Sequence, residues 1–265
     1  MTLLDAVLLG IVQGLTEFLP VSSSGHLVLG EALLGLSTPG VVFEVAVHVA
    51  TLCAVCWVFR RRLGRLAYGV LHGERTAFVY AGLLLIASVP AGIVGTTLSG
   101  FIEPFFDRPL IAASLIVVTG AIVWSVRWTM HGSRRETPGP GQAFLIGVAQ
   151  AVAILPGISR SGSTVAVGTW LGVEPTRMAE FSFLMSVPAI AGAAVLQLPE
   201  LREGGAQIGA GPLGVAFIAA VVSGILAIRI FVHMLERRTF HRFAYYCWVA
   251  GAAYLVAAAF VPALR

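Results

Sequence analysis

The chain has 265 residues, 57% of them hydrophobic and only 11% charged, with a mean hydropathy of +0.90. That composition excludes an ordinary soluble domain and a disordered chain alike, and it makes the bilayer the solvent. The net charge of +4 comes from basic residues that are all Arg and gather where apolar stretches end, which marks membrane topology and not a nucleic-acid surface.

Met1–Pro20 carries neither a basic n-region nor a small-residue cleavage site, and Asp5, Gln13 and Glu17 interrupt its apolar run, so it reads as part of the fold and not as a signal. Six later stretches are long enough to cross the hydrocarbon as helices: Val41–Phe59, Thr76–Leu98, Pro109–Val126, Met178–Leu198, Leu213–Phe231 and Phe243–Val261. Ala6–Leu19 and Phe144–Leu155 are too short, and each runs into a Leu-Pro step followed by Ser/Gly sequence; these are expected to be re-entrant hairpins. Cys53 and Cys56, like Cys247, lie in apolar sequence and read as packing residues.

Arginines follow the first span (Arg60, Arg61, Arg62, Arg65), the third (Arg127, Arg134, Arg135) and the fifth (Arg229, Arg237, Arg238). The intervening loops carry Glu103 and Asp107, then Glu200 and Glu203, and are poor in Arg. Arginine asymmetry therefore places the first set of loops in the cytoplasm and both termini on the non-cytoplasmic side. Trp57, Trp124 and Trp128 suit either interfacial anchors or core positions.

The chain contains a repeat. Gly10 and Gln13 match Gly147 and Gln150, Leu19-Pro20 matches Leu155-Pro156, and Ser22-x-Ser24-Gly25 matches Ser159-x-Ser161-Gly162. Glu44 and Glu180 open the following spans, and Phe106-Asp107-Arg108 parallels Phe240-His241-Arg242. The expected fold class is an all-α integral membrane protein of six transmembrane helices plus two re-entrant hairpins in an inverted-topology repeat. Residues 1–137 form the first copy, 142–265 the second, and Pro138–Gly141 the linker, within one membrane domain. An odd number of crossings per copy turns the second upside down and puts a shared site near the midplane.

Polar groups inside the breaks are the candidate chemistry. Glu17 sits at membrane depth, where an ionised carboxylate needs a partner, and Gln13 lies one turn earlier on the same face. The plainer interpretation makes Glu17 a helix end. His26 closes the run Ser22-Ser23-Ser24-Gly25-His26. The second loop, Pro156-Gly157-Ile158-Ser159-Arg160-Ser161-Gly162-Ser163-Thr164, combines turn-forming glycines, hydroxyls and a following helix start, all suited to an anion, with Arg160 as a fork for phosphate oxygens. It approaches a P-loop but lacks the lysine and any strand context. A carboxylate and an imidazole facing an oxyanion cradle suit phosphoryl transfer, and entry between helices suits a lipid substrate.

Residues 13–26 and 156–164 resemble the two motifs of the bacterial undecaprenyl-diphosphate phosphatases of the bacitracin-resistance type, and the likeness extends over essentially the whole chain. It implies hydrolysis of undecaprenyl diphosphate to the monophosphate carrier lipid, a multi-pass fold in the bacterial plasma membrane, an active site open to the outer side and a homodimer. Carried over by position, Glu17, Ser23, His26 and Arg160 are the catalytic set. Gln13, Ser22, Ser159, Ser161, Gly162 and Thr164 are the phosphate shell. The nucleophile is left open among Ser23, His26 and water, with Glu17 orienting His26 or the nucleophile. The resemblance leaves a divalent cation, Mg2+ or Ca2+, as a candidate cofactor; Gln13 stands where a second carboxylate occurs in the family, so Glu17 is the one acidic ligand. A polyprenyl phosphate transporter or flippase is the competing expectation, because broken helices in inverted repeats also build transporters. An intramembrane serine protease would leave Arg160 without a role.

Overall fold

The computed structural model describes residues 1–34, 41–130, 132, 135–197 and 209–261. Arg134, Leu198, Glu200 and Glu203, used above for topology or span limits, lie outside the described residues. The named elements are helices: α1 (Leu3–Phe18), α2 (Ser23–Leu34), α3 (Val41–Val58), α4 (Arg60–Leu71), α5 (Arg75–Thr97), α6 (Ser99–Ile102), α7 (Pro109–Ser125), α8 (Pro140–Val152), α9 (Arg160–Trp170), α10 (Pro175–Leu196), α11 (Ala210–Glu236) and α12 (Phe243–Phe260).

Among the described residues five helices are long and apolar enough to span a bilayer: α5, α7, α10, α11 and α12. A sixth arises if α3 and α4, bent by 77° at Phe59, count as one. The arginine-bearing stretch after the first span, expected as a loop, is thus a helix. Arg62 ties it down: its Nε donates to Glu180 of α10 at 2.7 Å, and its guanidinium lies 4.8 Å from the Tyr80 ring. The outward face keeps Arg61 and Arg65 exposed.

The two short apolar stretches form helices that stop at mid-length of the bundle. α1 starts on a reciprocal cap, in which Asp5 N–H donates to Thr2 Oγ1 and Thr2 N–H donates to Asp5 Oδ2. It ends before Pro20, and Ser22 takes a left-handed conformation with φ 74°. With 16 residues it extends only about 24 Å at 1.5 Å per residue. α8 likewise starts with Pro140 at its first position, ends before Pro156, and is followed by Gly157 at φ 102°. α2 turns back along α1, bringing Gly30 near Leu9, and α9 turns back along α8, so that Gln142 Nε2 donates to the Leu171 carbonyl at 2.8 Å.

Close helix contacts set the directions. Gly10 faces Ala216, and a Cβ on Gly14 would lie 2.8 Å from the Gly224 nitrogen, so α1 runs parallel to α11. Gly147 faces Ala87 and Ile154 reaches Gly95, so α8 runs parallel to α5. A methyl group on Gly10 or Gly147 would strike the facing carbonyl oxygen, which is why these positions are glycine. The C-terminal ends of α3 and α11 meet where Val58 and Phe59 line a cleft of about 320 Å3 with Arg229 and His233. The end of α7 joins them through Trp124, which packs on His241 just before α12. All three Arg-rich turns therefore lie at one end of the bundle, and α1 starts at the other.

The hairpins approach from opposite ends and interlock at their breaks. The Gly157 N–H donates to Ser22 Oγ at 3.1 Å, Ser161 Oγ donates to the Leu19 carbonyl at 3.3 Å, and a Cβ on Gly25 would come within 2.9 Å of Gly157 Cα. Thr119 of α7 clamps the second loop from behind, donating to Gly157 O at 2.7 Å and accepting from Ser159 N–H at 3.0 Å.

Two substitutions test this packing. Gly147→Ala should lower stability by about 1–3 kcal/mol, because backbone must move to admit the methyl group, whereas Gly92→Ala in α5, with open space around it, should be neutral or slightly stabilising. Ser22→Ala should cost about 1–3 kcal/mol, since the buried Gly157 and Gly25 N–H groups both lose their acceptor. Thermal unfolding of the detergent-solubilised variants, followed by circular dichroism, measures both.

Candidate active site

The break in α1–α2 carries Glu17 on the last turn of α1 and Ser23 on the first of α2; the break in α8–α9 carries Arg160 on the first turn of α9. The interlock brings all three together. Arg160 donates a guanidinium N–H to Glu17 Oε1 at 2.6 Å, and Ser23 Oγ donates to Glu17 Oε2 at 2.7 Å. Gln13, buried one turn before Glu17, adds a donor to the same Oε2 at 3.2 Å. The imidazole Nε2 of His48 on α3 stands 3.9 Å from that oxygen. Glu17 is only 9% exposed, so its charge is held by neighbours and not by bulk water.

The hydroxyls divide sharply. Ser22 accepts N–H groups from both loops, as described above. Ser159 caps α9 by accepting the Gly162 N–H at 3.1 Å, and its Oγ lies 3.3 Å from Ser161 Oγ. Thr164 is fully buried, donates to the Arg160 carbonyl at 2.8 Å and pairs with Ser182 at 2.7 Å. α9 begins at Arg160 and not after Thr164, so Ser161, Gly162 and Thr164 lie within its first turns. Gly162 packs against Pro20, where a Cβ would be at 3.2 Å. Ser23 is the hydroxyl that is partly open and bonded to a carboxylate.

His26 is on α2 but does not touch Glu17 among the described residues. Its Nδ1 bonds the Ser22 carbonyl at 2.8 Å, which makes Nδ1 the protonated nitrogen, and its Nε2 faces the Tyr246 hydroxyl at 2.9 Å with the rings stacked at 5.6 Å. Of the two roles open to Glu17 in the sequence, the geometry brings it to Ser23 and Arg160. Tyr246 and His48 were both missed by motif reading. Tyr246 lies 220 positions from His26 within an apolar span, and a lone His in the span Val41–Phe59 carries no pattern of its own.

A divalent cation would find a sparse donor set here. Among the described residues no three His, Cys, Asp or Glu side chains cluster as a metal site, and both Glu17 oxygens are already engaged. The residues fit no all-protein Mg2+ or Ca2+ cage; Mg2+ held chiefly by substrate phosphates with one carboxylate is the form that needs fewest protein ligands.

The chain as a whole has known relatives. The family described as bacitracin resistance protein BacA matches residues 6–253. The chain is similar to the undecaprenyl-diphosphatase of Rubrobacter xylanophilus, 43% identical across 97% of each chain. It is 41% identical to the one of Syntrophotalea carbinolica, covering 96% of this chain and 98% of that one, and 39% identical to the one of Desulforapulum autotrophicum, covering 97% and 99%. With helices able to cross a bilayer five or six times and a match running almost end to end, this multi-pass membrane protein belongs to the bacitracin resistance protein BacA family.

Proposed function

We propose that this chain is a membrane phosphatase that hydrolyses undecaprenyl diphosphate to undecaprenyl phosphate and inorganic phosphate, returning the carrier lipid to cell-wall synthesis. The activity is the one for which its relatives are named. The observation that carries the chemistry is the Ser23–Glu17–Arg160 constellation: a hydroxyl hydrogen-bonded to a buried carboxylate that is itself held by a guanidinium.

Glu17 accepts the Ser23 proton while Oγ attacks the terminal phosphorus, and the bridging P–O bond breaks to release the lipid monophosphate. Arg160 keeps further N–H donors for the phosphoryl oxygens, and the N-termini of α2 and α9 add positive ends. Water then cleaves the Ser23 phosphoester. Ser22, Ser159, Ser161, Gly162, Thr164 and Gln13 act by holding the loops and Glu17 in register. His26, with Tyr246 on its Nε2, faces the second phosphate group or the leaving oxygen. A divalent cation, Mg2+ or Ca2+, would have Glu17 as its one acidic protein ligand and would supply charge neutralisation to the substrate's phosphates; no step here depends on it.

The architecture we propose around this site is six spans and two re-entrant hairpins in an inverted repeat, residues 1–137 and 142–265. Its support is the exchange of contacts: α1 lies on α11 as α8 lies on α5, and Gly10 meets Ala216 as Gly147 meets Ala87. The gathering of Arg-rich turns at one end supports a cytoplasmic assignment for that end, with both termini at the other and the site open to the outer side of the bacterial plasma membrane. A homodimer rests on the family likeness alone.

Phosphate release from a soluble prenyl diphosphate by the purified protein in detergent tests the activity, and a flippase would release none. Arg160→Ala should lower kcat by about 100- to 1,000-fold and, by stranding the buried Glu17, lower the melting temperature as well; Arg160→Lys, which keeps a cation beside Glu17, separates the loss of rate from the loss of stability. Ser23→Ala should abolish the acid-stable phosphoenzyme that trapping from labelled substrate yields on the wild type. An active Arg160→Ala enzyme, or an undiminished phosphoenzyme in Ser23→Ala, would overturn the respective assignment.

A further inference from the structure

We infer that His48 is the proton outlet of the site, a role that rests on the hydrolytic reading above and adds to it. Hydrolysis of a diphosphate must dispose of a proton. When Ser23 attacks, its O–H bond breaks and the proton passes to Glu17 as the Oγ–P bond forms. Glu17 must lose that proton before it can take another from the incoming water. Once unloaded, it accepts the water's proton while the new oxygen bonds phosphorus, and hands it to Ser23 as the Oγ–P bond breaks. Ser23 is restored, and the first proton is the one that leaves.

His48 is the group placed to receive it. Its Nδ1 lies 2.8 Å from the Glu44 carbonyl, one turn back on α3, an acceptor that obliges Nδ1 to carry the hydrogen. Nε2 therefore presents a lone pair, and it points at Glu17 Oε2. Against an ionised Glu17 two sets of lone pairs face each other, and the pair stands apart at 3.9 Å, longer than a hydrogen bond. Put a proton on Oε2 and the same pair becomes an O–H donor facing an acceptor, which draws them together. With His48 neutral the contact is attractive only when Glu17 is loaded, and once the proton has crossed, an imidazolium faces a carboxylate and the pair stays attractive.

The other site imidazole is differently committed: both His26 nitrogens are engaged, by Ser22 and Tyr246. His48 is also open enough to discharge, its side chain being 35% exposed against 8% for Glu17. The charged groups around it lie on two sides. Glu17 of α1, with Arg160 of α9 behind it, lies on one; Glu44 of α3 interacts with His48 on the other, and Glu31 of α2 interacts with Glu44 in turn.

The test compares wild type, His48→Gln and His48→Ala in detergent, with the melting temperature of each confirming the fold. His48→Gln should lower kcat about 10- to 100-fold with little change in KM. Free imidazole in the buffer should raise kcat of His48→Ala and leave His48→Gln, whose amide fills the space, unchanged. A His48→Gln enzyme with the wild-type kcat, or His48→Ala indifferent to imidazole, overturns the outlet while the phosphatase reading stands. A wild-type protein that releases no phosphate overturns that reading itself.

Discussion

The ion pair between Glu17 and Arg160 is the constraint on which the rest of the structure depends. A carboxylate and a guanidinium buried inside an apolar bundle each cost several kcal/mol unless they meet, and removing one partner of such a pair strands the other. These two residues are separated by 143 positions and sit on hairpins that approach from opposite ends of the bundle. Their contact at 2.6 Å requires both helices to stop at the same depth. The Leu-Pro steps stop them, and the left-handed turns at Ser22 and Gly157 send the chain back. Gly25 and Gly157 let the two turns cross within backbone contact. Glycines on the outer surfaces of α1 and α8 let these half-length helices lean on α11 and α5 closely enough to replace the packing a full span would have had.

The two similar sequence stretches bring matched positions to one group, and only the first stretch supplies that group. In the alignment Ser22-Ser23-Ser24-Gly25 against Ser159-Arg160-Ser161-Gly162, Ser23 and Arg160 are counterparts, and they bind the two oxygens of the same carboxylate. The second copy has Ile154 one turn after Gln150, where the first has Glu17 one turn after Gln13. The consequence is visible in the amides. Gln13 donates to Glu17, while the buried Gln150 side chain has no hydrogen-bond partner among the described residues. The internal likeness therefore explains how remote motifs converge without implying a second centre.

Much of this was legible in the sequence because the signals were local. Apolar runs bounded by Pro and Arg mark the long helices, and a carboxylate or guanidinium in apolar sequence announces that it needs a partner. What stayed hidden depends on tertiary placement. The bend at Phe59 turns an Arg-rich stretch into α4, and its anchor, Glu180, is 118 positions from Arg62. Tyr246 reads as one more aromatic in Phe243–Phe260 until α12 is laid beside α2. His48, in an apolar span, gains meaning only from the oxygen it faces. The family resemblance makes Ser22, Ser159, Ser161 and Thr164 a phosphate shell, whereas in the structure their hydroxyls bond to the backbone and to other hydroxyls.

That division of the hydroxyls is what makes one serine different. A phosphate cradle built from free Ser and Thr side chains would have to desolvate and reorder each of them on every turnover. Here the hydroxyls of Ser22, Ser159 and Thr164 are already bound, and they hold the loop backbones and the helix starts in place. Ser24 lies within 3.4 Å of Ser22, so it too has a neighbour inside its own turn. Ser23 alternates out of that set by one residue, onto the face where Glu17 ends its helix. Its proton is directed at a carboxylate whose other oxygen is neutralised by Arg160, so the base is fixed in orientation yet not quenched on the side that faces the hydroxyl. In the proposed mechanism the guanidinium that holds the resting carboxylate is also the positive group that meets the phosphate, so substrate binding and release of the base would draw on one residue.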